Sequence, residues 1–420
     1  MIRRRIATAA LACTALTSPV LAAGPAEVVA HYADIAEAGY ADSLATARSL
    51  REALAGLVAQ PSQENLDAAR AAWLASRVPY QQTEAFRFGN PIVDDWEGKV
   101  NAWPLDEGLI DYVDASYGES EENPLATLNV IATPKFTLSG AEVDATSITP
   151  ELISGVLQEA DGIEANVASG YHAIEFLLWG QDLNGTEAGA GNRPWTDFAN
   201  GDACTGGNCD RRAAYLLAAG DLLVSDLEFM AAQWTEGGEA REAVISDPEA
   251  GLMAMLTGMG SLSYGELAGE RMKLGLMLSD PEEEHDCFSD NTHNSHYYDG
   301  VGIRNVYLGS YTRIDGTEIT GPSLSDLVAE KDPAVDNQLK AELDSSVAAL
   351  NAIKTAAEEG FAYDQMLAPG NEQGEKLIMG AVNALVTQTA SIERAVAALG
   401  LSKIDFEGSD SLDNPNAVFQ

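Results

Sequence analysis

The chain has 420 residues, with 24 lysines and arginines against 65 aspartates and glutamates, and a formal net charge of −41 at pH 7. Charge of that sign repels nucleic acid, polyphosphate and anionic membrane surfaces, which are set aside as partners; most of it reads as a solvated acidic surface. A length beyond one ordinary hydrophobic core sets the expectation of two domains.

The first 23 residues, MIRRRIATAALACTALTSPVLAA, place three arginines before an apolar stretch and end in small residues at Val20-Leu21-Ala22-Ala23. This is the layout of a cleaved secretory signal peptide, so residues 1–23 are left out of the fold. The mature chain is expected in the periplasm or another exported cell-envelope space. A lipoprotein anchor at Cys13 is the alternative, but the apolar run before that cysteine is very short. No later stretch has the ~18 continuous apolar residues of a membrane-crossing helix.

Apolar residues at three- and four-residue steps predict a helix from Val28, punctuated by Gln60-Pro61-Ser62, and a second over SQENLDAARAAWLASRVPYQQTEAFRFG, residues 62–89, bent at Pro79. Further helical patterns cover about 150–180, 211–236, 249–279, 334–360 and 370–400, while strand-like alternation is limited to pieces such as Lys135 to Leu138. The expected fold is all-α, with two helical-bundle domains at 24–205 and 206–420 joined by long irregular loops. Residues 182–210 and about 280–322, rich in Gly, Asn, Asp and Pro, are expected to be those loops. Glu84-Ala-Phe-Arg-Phe88 echoes Glu284-His-Asp-Cys-Phe288, which suggests that the two bundles are related by duplication.

Three cysteines remain beyond the leader. Cys204 and Cys209 flank a Gly-Gly turn, and in an oxidising compartment a local disulfide is expected. A zinc site is the alternative, but it lacks a second cysteine pair or a nearby histidine. Cys287 reads as a buried free thiol.

The run GYHAIEFLLWGQD, residues 170–182, carries His172 and Glu175 three places apart among apolar residues. On a helix these side chains stand one above the other, and a carboxylate in such company must be neutralised, paired or ligated. A divalent metal is one candidate; a core histidine and a glutamate paired with arginine is the other. If the helix begins near residue 150, Glu164, Ala168, His172 and Glu175 share one stripe, which brings Glu164 to the same site.

Gly170-Tyr-His172-Ala-Ile-Glu175, followed by FLLWGQD, a Cys-containing loop and Arg211-Arg212, resembles the GxHxxE signature of the imelysin family, the M75 peptidases, which includes iron-regulated periplasmic proteins. WLASRVPYQQTEAFRFG, NAWPLDEGLIDYV, RRAAYLLAAGDLLVSDL, EEEHDCFSDNT and LSDLV extend the resemblance through nearly the whole mature chain. It implies a two-domain helical fold of related bundles, an exported location and a metal site centred on the motif, with iron the favoured metal and zinc the other.

Glu84, on a stripe with Arg77 and Gln81, resembles an acidic position near the family's site and is the first candidate to complete it; Asp106 in WPLDEG is the second. Their alternative roles are an ion pair with Arg77 and a helix N-cap. His285, His293 and His296, beside Glu282, Glu283 and Glu284, read as a solvated loop, with a second metal site there as the alternative, and Met253, Met255, Met259, Met272 and Met277 as bundle core. In HExxH peptidases the residue after the first histidine is the base, and here it is Ala173. The expected function is therefore iron-linked metal binding, with an iron-uptake membrane component as a further partner. A metallopeptidase and a metal-free binding or scaffold module are the alternatives.

Overall fold

Two short antiparallel strand pairs, Lys135–Leu138 with Ala141–Asp144 and Ser310–Thr312 with Glu318–Thr320, are the only sheet among the described residues, 23–118 and 123–419, of this computed structural model. Helices form the rest of its regular structure, so the fold is all-α. The leader expected at 1–23 lies outside the described residues but for its last one.

Proline at the first turn starts the Pro25–Ala59 helix, and Pro61 follows its end. Ser62 caps the Gln63–Gln81 helix by accepting a bond from Asn65 N at 3.2 Å. That helix stops at Gln81, two residues after Pro79, and does not run on to residue 89; Glu84–Phe86 is a separate 3-10 turn. The Cys209–Trp234 helix, which follows the boundary expected at 205, runs along Pro25–Ala59, with Arg48 paired to Glu228 (2.7 Å) and Arg51 to Asp221 (2.5 Å). Between them Trp234 stacks on Tyr40 and meets Tyr32 edge-on, and rings of this size dominate core energetics.

The longer C-terminal helices are Pro248–Ser261, Thr292–Leu308, Leu324–Lys331, Pro333–Glu358 and Glu372–Ala398. The first continues without a break through a π-helical stretch, Leu262–Leu274, into Gly275–Leu278. Asp247, Ser323, Asp332 and Asn371 cap four helices through their side-chain oxygens. A separate apolar cluster of Leu267, Met272, Leu350, Ile353, Met366, Ile378 and Leu385 holds this end together, each full burial contributing about 1.5–3 kcal/mol.

Two expectations fail locally. The helix predicted over 150–180 breaks, because Glu159, Asp161 and Gly162 adopt left-handed φ of +52°, +58° and +74°; regular helix resumes only at Gly170. Nor is 280–322 a long loop, since Thr292–Leu308 is helical and a hairpin follows. That helix turns Ser295, His296, Asp299, Gly300 and Gly302 inward, a polar buried face that an apolar periodicity cannot reveal.

Candidate metal centre

All ten residues of the Gly170–Trp179 helix are buried. Gly170 begins it at φ +80°, and a Cβ there would lie 2.4 Å from Val100 O, so the motif's glycine lets the chain press against Val100, whose carbonyl accepts Tyr171 N at 2.7 Å. Trp73 Nε1 donates to Tyr171 O (2.9 Å), and Arg70 donates to Leu178 O near the other end (2.9 and 3.1 Å). The helix is thereby fixed at both ends before any ligand is considered.

On this frame the two motif side chains converge. His172 Nδ1 lies 3.0 Å from Glu175 Oε2 and 4.0 Å from Asp286 Oδ1. The other Glu175 oxygen accepts from Ser289 N (3.0 Å) and Ser289 Oγ (2.6 Å). Asp286 Oδ1 accepts from Arg77 Nη2 (2.8 Å), and Oδ2 accepts from Asn291 Nδ2 (2.7 Å) and from Ser295 Oγ. The His285 ring meets the His172 ring edge-to-face at 4.8 Å and Trp103 at 5.7 Å. One donor atom each from His172, His285 and Asp286 lies within 4.8 Å of the other two. His172 Nε2 and both ring nitrogens of His285 have no hydrogen-bond partner, as have both of His296 nearby on the Thr292–Leu308 helix.

Burial, and then the Arg77 charge, press the His172 imidazole down to about 3, against a weaker opposing pull from Asp286. Burial and Arg271 hold His285 well below its ordinary value. Both rings are neutral at pH 7, with a lone pair available. Burial pushes the Asp286 carboxyl up, but Arg77, His172 and the bonds from Ser295 and Asn291 together outweigh it, and the group stays ionised. Burial and the neighbouring Asp286 push the Glu175 carboxyl well up, against the bonds from Ser289 and the Arg77 charge. Two neutral imidazoles and oxygen donors suit a borderline divalent ion such as iron or zinc. Buried polar atoms without partners are costly, so three orphaned imidazole nitrogens in this cluster fit a ligand-holding role.

The other expected site residues fall elsewhere. Glu84 is buried but accepts from Arg271 Nη2 at 2.9 Å; it joins neither Arg77 nor the His172 group. Arg271, on the π-helical stretch, also pairs with Asp299 (3.0 Å) and Glu266 (2.8 Å). Arg77 does reach the site, as the partner of Asp286. Asp106 stands at the N-cap of the Glu107–Leu109 turn without capping it; it accepts from Tyr117 Oη (2.9 Å) and Asn123 Nδ2, beside a cavity of about 360 Å³ lined by Trp103, Glu107, Glu282 and Cys287. Glu164 is exposed, because the break before Gly170 removes it from any stripe with His172. Cys204 and Cys209 are disulfide-bonded, Cys287 is a buried free thiol, and Met255, Met259 and Met272 are core.

His285 and His296 are each 1% exposed, which corrects the reading of this segment as solvated loop, and Asp286, rather than Glu84, is the acid grouped with His172 and His285. The available signal was the Cys287-Phe288 pair: two apolar residues directly after His-Asp mark where the acidic run turns inward.

A family model described as imelysin, peptidase M75, matches residues 36–392. Iron-regulated protein A of Synechococcus elongatus is 23% identical over 362 residues, covering 86% of this chain and 82% of that protein. Among solved structures, a protein described as an iron-regulated protein A precursor, from Parabacteroides distasonis, superposes with a TM-score of 0.64 at 20% identity, covering 89% of this chain and 95% of the other. An imelysin-like protein from Psychrobacter arcticum superposes with a TM-score of 0.57 at 15% identity, covering 92% and 100%. No helix among the described residues is long and apolar enough to cross a membrane.

Proposed function

The chain belongs to the imelysin family, and from that premise we propose that it is an exported, iron-linked metal-binding protein whose site is His172, His285 and Asp286, with Glu175 beside them. One observation carries the reading: three imidazole nitrogens of His172 and His285 have no partner in the buried interior, next to an ionised carboxylate. The relative named as iron-regulated points to iron as the cargo. The Cys204–Cys209 disulfide fits an oxidising compartment such as the periplasm, and the acidic surface draws cations toward the molecule. A membrane component that receives the metal is part of this proposal.

Burial weighs against the peptidase alternative. His172, Glu175, His285 and Asp286 are each 1% exposed or less, a depth that admits an ion far more readily than a polypeptide. A metallopeptidase also needs an open position for water and a base, and Glu175 is already engaged by His172 and Ser289. Titration of the chelator-stripped protein with Fe²⁺, Fe³⁺ and Zn²⁺ tests the proposal. One equivalent should bind and be lost in His172→Ala and in His285→Ala; equal stoichiometry in both variants rejects it. Chelator-sensitive proteolysis that disappears in Glu175→Ala would restore the peptidase reading.

A further inference from the structure

Beyond the His172 centre, Asp182, Asp290 and Asp364 each offer one carboxylate oxygen, and these atoms lie within 4.8 Å of one another. They come from three separate segments: the loop after the motif helix, the run before Thr292, and the Tyr363–Leu367 helix of the C-terminal half. No lysine or arginine among the described residues forms an ion pair with any of the three. Acidic clusters are common on so acidic a chain, and proximity alone decides nothing.

The burial of Asp364 and of a fourth acid, Glu284, does. Asp364 is 2% exposed and its Oδ2 has no hydrogen-bond partner; Asp290 Oδ1 has none either. Glu284, 1% exposed, faces Asp364 carboxyl to carboxyl within hydrogen-bonding reach, with the Thr292 hydroxyl also beside it, and two buried acids in that arrangement need a proton or a cation between them. The remaining contacts orient the cluster: Asp182 Oδ1 accepts from Asn184 N (2.8 Å) and Nδ2 (2.7 Å), and Asp290 Oδ2 from Gly189 N (3.1 Å). Burial and mutual repulsion raise Asp364 to about 8 and Asp290 to about 6, the behaviour of acids gathered with no counter-charge.

We propose that Asp182, Asp290 and Asp364, with Glu284 behind them, form a second cation site, taking a hard divalent ion of the calcium or manganese kind and tying the loop after the motif helix to the C-terminal half. The donors are all oxygen, which selects hard ions and separates this site from the nitrogen-containing His172 centre. The proposal does not depend on the function of that centre.

Mn²⁺ binding followed by electron paramagnetic resonance, with Ca²⁺ as competitor, tests it on the full mature chain. The wild type should hold one Mn²⁺ that Ca²⁺ displaces, and the His172→Ala/His285→Ala variant should keep it. The Asp290→Asn/Asp364→Asn variant should bind that ion at least tenfold more weakly. Asparagine keeps the shape and removes like charge, so this variant should melt, metal-free, no lower than wild type and lose the rise in Tm that Ca²⁺ gives. A Ca²⁺-displaceable Mn²⁺ of unchanged affinity in Asp290→Asn/Asp364→Asn, no such Mn²⁺ in the wild type, or a lower metal-free Tm for the variant would overturn it.

Discussion

Two buried polar clusters adjoin the motif helix, and they are built to opposite rules. Around Arg193 and Arg212, Asp111 accepts three charged bonds: Arg193 Nη1 at 2.7 Å, Arg212 Nε at 2.6 Å and Arg212 Nη2 at 2.9 Å. Arg212 Nη1 reaches the carbonyls of Asp197 and Gly207, and Asp197 also takes Arg193. Two arginines meet two aspartates, and a single donor, Arg193 Nε, is left over. Around His172 the partners run out: three imidazole nitrogens have none. A saturated, neutral network ties down the 182–210 loop, whereas a cluster with donors to spare is poised for a ligand.

The largest expected effect is on the saturated side. Asp111→Ala strands two buried guanidiniums and should cost about 3–5 kcal/mol in urea unfolding, with or without metal. A loss below about 1 kcal/mol would show that water rescues the arginines and that the contrast in packing is not one of energy. On the other side, His285→Leu should abolish tight metal binding while leaving metal-free stability unchanged or raising it by about 1 kcal/mol, because it removes a buried ring with no hydrogen bond. A large fall in metal-free stability would place His285 among the structural residues. Ser289→Ala should weaken metal binding about tenfold without abolishing it, since it removes the hydroxyl bond that orients Glu175, keeps the backbone one, and touches no member of the donor group.

The same contrast decides what could be read from the residues alone. His172 and Glu175 were legible because one helical turn and its apolar neighbours determine their juxtaposition. The long helices were legible from periodicity and from caps such as Ser62 and Asp332. Asp286 and His285 were not, because their burial comes from packing against a helix more than a hundred residues earlier, and a run of acids reads as solvated until then. Glu84 was expected to complete the metal site or else to pair with Arg77; the arginine it meets, Arg271, sits on a π-helical stretch whose register no three- or four-residue stripe describes. The break at Glu159 and Asp161 hid itself the same way, since left-handed acids carry no signal in a hydrophobic pattern.

A third buried group lies between the two extremes and yields the smallest effect. Glu97, 7% exposed, sits 3.6 Å from Arg87, but burial, reinforced by Glu84 and Glu266, outweighs that charge and lifts its carboxyl to about 7. The folded protein therefore holds a proton that the unfolded chain releases near its ordinary value of 4.5. Its stabilising contribution is complete below that value and is lost as pH rises through about 7, with a slope of up to about 1.4 kcal/mol per pH unit in between. Urea midpoints of wild type and Glu97→Gln, measured across this window, should diverge as pH rises, the glutamine variant keeping the stability that the wild type loses. Parallel profiles would mean that Arg87 already neutralises Glu97, and would move this group into the saturated class beside Asp111.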